Sequence, residues 1–168
     1  MKSGYNVGVR LNDSAQIEKV GEGTKPTFTP PLLPEQDKKL PRVAIVSTGG
    51  TIASRVDYRT GGVRAALSAS ELYSVVPELA QIAVVETEIL FSIFSENITA
   101  KHWIATAKAV KKHIENGVSG VIVAHGTDTL GYSAAALSFA LQDLPIPVVF
   151  VASQRSADRP SSDAATNL

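Results

Sequence analysis

Short β-branched apolar runs alternate with stretches of helical periodicity along the chain after residue 41. The runs Val43–Val46, Gly120–Ala124 and Val148–Val151 contain no polar residue, which predicts strands buried on both faces of a parallel sheet. The segment Ile82–Leu90 alternates in part and predicts one more strand. Because strands and helices alternate, the pattern favours an α/β fold with a doubly wound, largely parallel sheet over residues 42–168.

The longest helical pattern begins near Thr99. Apolar residues recur there on one helix face, and Gly117 is the predicted stop. A second helix is predicted from Tyr132 through Leu141, and a capping box at 68–71 predicts a short third one. Residues 21–41 carry five of the nine prolines of the chain and are predicted to be an extended linker that follows residues 1–20.

Two threonine-bearing turns follow two of the predicted strands, at Thr48–Ala53 and His125–Thr129. The crevice beyond the carboxyl ends of parallel strands is the usual ligand site of such a sheet, so both turns are expected to face one pocket. A threonine hydroxyl becomes a useful nucleophile only beside a positioned base and oxyanion donors, and Gly50 allows a substrate to approach the backbone. The turns therefore predict an amide-hydrolysing site. The alternative is that Thr51 and Thr127 cap helices.

The two turns resemble the paired signatures of the asparaginase/glutaminase family of two-threonine amidohydrolases. The resemblance extends to Tyr58 and Ser92–Ile98. The run Ser153–Ala165 is similar to the D-subunit branch of the family, which is found in archaeal glutamyl-tRNA(Gln) amidotransferases.

The resemblance implies a role for each matching residue. Thr51 is expected to attack the side-chain amide of L-asparagine or L-glutamine. Thr127 and Asp128 are expected to work with a downstream lysine in moving protons, and Tyr58 belongs to the loop that closes over the site. The residues expected to bind substrate are Gly50, Ser95 and Glu96.

The resemblance also implies that the chain holds only part of an asparaginase amino-terminal domain. The family places its lysine beyond the position matching Leu168, so the chain by itself is expected to be inactive. Residues 1–20 are expected to be the remnant of a small β-barrel domain, because Gly4–Leu11 resembles the last strand of that barrel.

The resemblance further implies partners. The ammonia would serve transamidation of Glu-tRNA(Gln) to Gln-tRNA(Gln) by the amidotransferase E-subunit, where ATP and Mg would be needed, whereas this chain would need no cofactor. Contact with tRNA would be made through the complex, and the full-length protein is expected to form a homodimer. Two alternatives stay open: a stand-alone metabolic L-asparaginase, and a catalytically inactive fragment that binds a partner.

Composition narrows these possibilities. Sixteen Lys and Arg balance sixteen Asp and Glu, so the chain offers no basic footprint for RNA of its own. The absence of Cys from the sequence excludes a cysteine-based glutaminase mechanism and thiolate metal sites. No apolar run approaches the roughly 20 residues of a membrane span, and a cytoplasmic location without membrane association is expected.

Several other residues are interpreted more plainly. His125 is predicted to make a structural hydrogen bond rather than to act as the general base. His102 and His113 are interpreted as part of a solvated helix face without a metal site, and Trp103 as a packing residue. The polar run Ser153–Asp163 is either a charged surface loop or a segment that shapes the pocket or contacts a partner.

Overall fold

The computed structural model describes Glu18 and residues 37–56, 63–65, 71–73, 76–156 and 162–168, with the backbone alone for 55, 56 and 63–65. Tyr58, residues 68–70 of the predicted capping box, and nearly all of the predicted barrel remnant and linker lie outside these ranges. No helix in the described ranges is long and apolar enough to cross a membrane.

Four parallel strands form the central sheet. They are β1 (Arg42–Gly49), β4 (Val84–Ile93), β5 (Gly120–Ala124) and β6 (Val148–Val151), in the spatial order β4-β1-β5-β6. Within this sheet Ala44 of β1 lies opposite Glu86 on one side and Val121 on the other. Strands β2 (Ser54–Val56) and β3 (Val63–Ala65) form a separate antiparallel pair. The predicted α/β fold with a largely parallel sheet is confirmed.

The helices with both ends in the described ranges are α1 (Leu79–Ile82), α2 (Ala100–Glu115), α3 (Leu130–Ala140) and α4 (Ala164–Asn167), and 3-10 turns lie at Thr51–Ala53 and Ser95–Asn97. Residues 71–73, where the capping box predicts a short helix, are helical as well. Helices α2 and α3 match the predicted ones to within about two residues. The strand predicted to begin at Ile82 begins at Val84 instead, because Ile82 ends α1, and it continues to Ile93.

Each face of the sheet carries its own apolar core, since successive side chains of a strand point to opposite faces. Ala44, Val46, Val121 and Val123 pack with Ala109 and Val110 of α2 on one face. Ile45, Val85 and Ala124 pack on the other face with Ile52, Leu72 and Ala164 of α4. Helical elements thus cover both faces of the sheet, as in a doubly wound domain.

Of the two histidines of α2 that were predicted on a solvated face, His113 departs from it and His102 is half-exposed. His113 is buried and its Nε2 lies 2.8 Å from the Glu88 carboxylate of β4, which also accepts a hydrogen bond from Lys112. His102 accepts a hydrogen bond from the Thr99 backbone N–H through Nδ1 and packs edge-on against Phe91. The solvated placement was wrong for His113, because helical spacing alone does not show which residues face the edge of the sheet.

Candidate active site

Three adjacent strands of the sheet end in turns that lie against one another. Gly50 follows β1, Ser95 follows β4, and Gly126 follows β5. A Cβ atom at Gly50 would lie 2.5 Å from the Cα and N atoms of Gly126, and one at Gly126 would lie 2.7 Å from Ser95 Oγ. The backbone of the first turn therefore rests directly on the second, and the second rests on the third. The small size of Gly50, Gly126 and Ser95 permits this close packing of the three turns.

The first turn places Thr51 one residue beyond a conformation that only glycine adopts readily. Gly50 has φ 75° and ψ 174°, and its carbonyl accepts a hydrogen bond from Ser54 Oγ at 2.5 Å. Thr51 opens the 3-10 turn and is half-buried, while Ile52 and Ala53 behind it are buried in the core. The helix-cap alternative fails for Thr51, because Gly50 occupies the cap position of this turn.

The second turn exposes Thr127 and Asp128 and buries the two residues before them, His125 and Gly126. Thr129 closes the turn: its Oγ1 donates a hydrogen bond to the Ser95 carbonyl at 2.7 Å. Thr129 also occupies the cap position of α3, so Thr127 is not a helix cap. Neither Thr51 nor Thr127 therefore caps a helix, which was the structural alternative for both residues.

The third turn supplies Ser95 and Glu96, the two residues that the resemblance assigns to substrate binding. Ser95 is 3% exposed, and its hydroxyl has no hydrogen-bond partner among the described residues. Glu96 is exposed in the same 3-10 turn. One predicted binding residue thus lies under the second turn, and the other is open to solvent.

A carboxylate of the following segment binds the backbone just after β6. Asp163 accepts hydrogen bonds from the backbone N–H groups of Gln154 and Arg155 at 3.0–3.1 Å, and these bonds hold the pKa of Asp163 below its ordinary value. Asn167 of α4 donates to the Ala152 carbonyl at 2.8 Å. In the described part of the run Ser153–Asp163, Asp163 therefore organises the backbone at the carboxyl end of β6.

Two contacts that support the site were not anticipated from the sequence. Thr48 donates a hydrogen bond from Oγ1 to the Ala124 carbonyl at 3.0 Å, which joins the ends of β1 and β5. The Thr129 bond joins the second turn to the third. The only sequence signal for either was a small polar residue beside a glycine turn. Tyr58, the remaining predicted catalytic residue, lies outside the described residues.

The resulting arrangement places three hydroxyls and two carboxylates beyond the ends of neighbouring strands. The hydroxyls belong to Thr51, Thr127 and Ser95, and the carboxylates to Asp128 and Glu96. Hydroxyls beside exposed carboxylates are among the groups that acyl transfer to a threonine requires.

Comparison with known proteins identifies the family to which this fold belongs. The sequence profile of the family described as Asparaginase, N-terminal, matches residues 42–168. Among solved structures, the thermostable L-asparaginase from Thermococcus kodakarensis is 34% identical, with a TM-score of 0.66 over 74% of this chain and 37% of that one. A probable cytoplasmic L-asparaginase from Campylobacter jejuni is 31% identical, with a TM-score of 0.64 over 76% of this chain and 37% of that one.

Curated relatives match the chain over its whole length. The D-subunit of glutamyl-tRNA(Gln) amidotransferase from Methanococcus maripaludis strain C7 is 50% identical over all of this chain and 40% of its own length. The corresponding protein from Pyrococcus horikoshii is 51% identical over all of this chain and 39% of its own length. The chain thus spans about 40% of the length of these relatives. Since the family profile covers residues 42–168 and the fold matches, the chain belongs to the asparaginase family.

Proposed function

We propose that this chain carries the nucleophile of an amidohydrolase that releases ammonia from L-asparagine or L-glutamine. The observation that supports it best is the contact of three strand-end turns at Gly50, Gly126 and Ser95, which gathers Thr51 and Thr127 without assigning either to a helix cap. The mechanism starts at the Thr51 hydroxyl. Its oxygen bonds to the amide carbon of the substrate, its proton leaves with the amide nitrogen as ammonia, and water then hydrolyses the ester and restores the hydroxyl.

Each neighbouring group has a role in this mechanism. Thr127 and Asp128 orient the proton transfers, and the family's downstream lysine completes that set. Ser95 and Glu96 hold the amino-acid end of the substrate, and Tyr58 closes over it. Backbone N–H groups of the glycine turns stabilise the oxyanion that forms on the amide carbonyl.

The test uses two forms of the protein. One is the chain itself, and the other is a chimera in which this chain replaces the matching 40% of the Methanococcus maripaludis D-subunit. Ammonia release from asparagine and glutamine is measured for each, with the variants Thr51→Ala and Thr51→Ser. The control is Ser138→Ala, which removes an exposed hydroxyl of α3 that belongs to none of the three turns.

Release by the chimera should fall by at least about 10³-fold in Thr51→Ala, because the nucleophile is lost, and should persist in Ser138→Ala. Thr51→Ser keeps the hydroxyl and should retain part of the activity. Wild-type rates in Thr51→Ala would refute the proposal. The isolated chain, which spans 40% of the length of that relative, is assayed in parallel.

The ammonia is proposed to serve tRNA-dependent amidation of Glu-tRNA(Gln) with the amidotransferase E-subunit. Support comes from the reach of the similarity: the D-subunit relatives match the whole chain, including residues 1–41, whereas the L-asparaginase structures match 74–76% of it at lower identity. ATP and Mg would act at the E-subunit and no cofactor in this chain. Because the net charge is zero, tRNA would be held by the complex.

A stand-alone L-asparaginase is the second candidate, favoured by the two L-asparaginase structures that share the fold. Co-purification of the chimera with the E-subunit, followed by a Glu-tRNA(Gln) amidation assay, separates the two functions. Glutamine-dependent formation of Gln-tRNA(Gln) supports the amidotransferase role. Ammonia release without any association with the E-subunit supports the stand-alone enzyme. Size-exclusion chromatography of the same samples tests the proposed homodimer.

A further inference from the structure

His125 is fixed between two strands at the base of the second turn. It is 1% exposed, and its backbone N–H donates to the Val151 carbonyl of β6 at 2.9 Å. Its ring lies 5.9 Å from the ring of Phe150, also on β6. The imidazole is therefore shielded from solvent beside the edge strand β6.

The contacts of the ring determine which nitrogen carries the hydrogen. Nδ1 lies 2.8 Å from the carbonyl oxygen of Gly126, and a carbonyl can only accept, so Nδ1 must be the donor. Nε2 is buried and has no partner among the described residues, which suits an unprotonated nitrogen far better than a second N–H. Burial also lowers the pKa of His125, and the bond to Gly126 only partly opposes that shift.

The Gly126 carbonyl belongs to the peptide that leads into Thr127. This peptide is trans, so the N–H of Thr127 points away from the imidazole, opposite to the carbonyl that His125 holds. The Cα of the same glycine is pressed between Gly50 and Ser95. The hydrogen bond from His125 thus holds the rotation of the peptide that follows the packed Cα of Gly126 and carries the amide of Thr127.

We propose that His125 is a positioning residue, which acts as a neutral Nδ1–H donor to orient the Gly126–Thr127 peptide for the reaction. The proposal rests on the proposed amidohydrolase function of the same site. In this role His125 transfers no proton to the substrate. Removing its bond to Gly126 should misalign the N–H and the hydroxyl of Thr127.

Three substitutions in the active chimera test the donor. The side-chain amide nitrogen of His125→Asn lies as many bonds from the backbone as Nδ1, that of His125→Gln lies one bond farther, and His125→Leu has no donor. His125→Asn should keep kcat within about five-fold of wild type, whereas His125→Leu should lose about 10- to 100-fold in kcat with a smaller change in KM. His125→Gln should resemble His125→Leu. Wild-type kcat in His125→Leu, or equal losses in His125→Asn and His125→Leu, would overturn the proposal.

Two further measurements keep the proposal testable when a variant folds poorly. In the wild-type protein, long-range ¹H–¹⁵N correlation should show the neutral Nδ1–H tautomer of His125, and an Nε2–H tautomer or a charged ring at neutral pH would overturn the assignment. The pH profile of kcat/KM should keep its shape in His125→Asn, and loss of one limb would make His125 a general base instead. If Thr51→Ala leaves activity intact, the proposed function fails. If Thr51→Ala abolishes activity and His125→Leu does not reduce it, only this inference fails.

Discussion

Replacing Gly50 by alanine should disrupt the site by forcing the first turn away from the second. Gly50 has φ 75° and ψ 174°, a region that side-chain-bearing residues almost never occupy. The added Cβ would lie 2.5 Å from the N and Cα atoms of Gly126 and 2.7 Å from the carbonyl carbon of His125. All three atoms are backbone, so no side-chain rotation relieves the contact.

The magnitude follows from two terms. Holding a residue with a Cβ in this backbone region costs about 1–3 kcal/mol. Inserting a methyl group into closely packed surroundings costs about 1–3 kcal/mol more. Together they give about 2–6 kcal/mol, a large part of the about 5–15 kcal/mol by which a domain is stable. The variant can reduce this cost only by moving the first turn away from the second, and that movement displaces Thr51.

Three other glycines separate the two terms. Gly117 has φ 77° with no atom within 4 Å of an added Cβ, so Gly117→Ala carries the backbone strain alone. Gly126 does not have the positive φ of Gly50, and its Cβ would lie 2.8 Å from Ser95 Cβ, so Gly126→Ala carries the clash alone. Gly131, in the first turn of α3, carries neither, and Gly131→Ala should stabilise the protein by up to about 1 kcal/mol.

Stability is measured by denaturant unfolding monitored by circular dichroism, and activity is measured as ammonia release by the chimera. Gly50→Ala should lose stability by about the sum of the losses in Gly117→Ala and Gly126→Ala. A displacement of about 1 Å at Thr51 should lower kcat roughly 100-fold, whereas Gly117→Ala should leave it near wild type. If Gly50→Ala is no less stable than Gly117→Ala, the close contact between the turns does not exist and the reasoning is refuted.

Three further outcomes are expected from denaturant unfolding. Thr48→Val should cost about 1–3 kcal/mol, because the Ala124 carbonyl loses its buried donor; a loss below about 0.5 kcal/mol would contradict the bond. Trp103→Phe should cost about 1–3 kcal/mol by leaving the buried Ser133 hydroxyl without its indole partner, and the double variant with Ser133→Ala should cost less than the sum of the two. Burial lowers the pKa of His125, so the unfolded chain binds a proton near the ordinary histidine pKa of about 6.5 while the folded protein does not. The free energy of unfolding should therefore fall as pH decreases from about 7.5 to 5, by at most about 1.4 kcal/mol per pH unit. The same pH series on His125→Asn should show a smaller fall, and an unchanged one would exclude His125 as its source.

The sheet strands were predictable where local sequence suffices. The runs at β1, β5 and β6 are apolar on both faces and are bounded by Gly or Pro, so their existence follows from burial between two layers. The start of β4 was misplaced because Ile82 is apolar yet 62% exposed at the end of α1. Its apolar side chain gave no signal that the chain still had one helical turn to complete.

Strand order lies beyond local pattern. The order β4-β1-β5-β6 places the first strand of the sheet between the second and the third along the chain, a choice set by packing between distant segments. The environment of His113 depends on this order, because Glu88 reaches it from the edge strand β4. The helical pattern could place His113 on a helix and could not supply its neighbour.

The site was predictable at the level of turns and not at the level of contacts. Thr51 and Thr127 were placed correctly at strand ends, since glycine and threonine after an apolar run are recognisable in sequence. Predicting the packing of Gly126 on Ser95 and the bond from Thr129 to the Ser95 carbonyl would have required knowing how far β4 and β5 extend relative to each other along the strand direction. That offset is set by the sheet register.

The same register explains why the site can be built from such small residues. Gly50 lies one residue beyond β1, Gly126 two beyond β5, and Ser95 two beyond β4. Because the turns begin so close to the strand ends, the paired strands restrict their movement. The bond from Thr48 to the Ala124 carbonyl extends the pairing of β1 and β5 to the ends of both strands. The side-chain bonds of Thr48 and Thr129 add to the direct backbone contact of the turns, and neither bond uses the hydroxyl of Thr51 or Thr127. A shift of one residue in the β1–β5 register would move Gly50 off Gly126 and disassemble the site, even with every functional side chain retained.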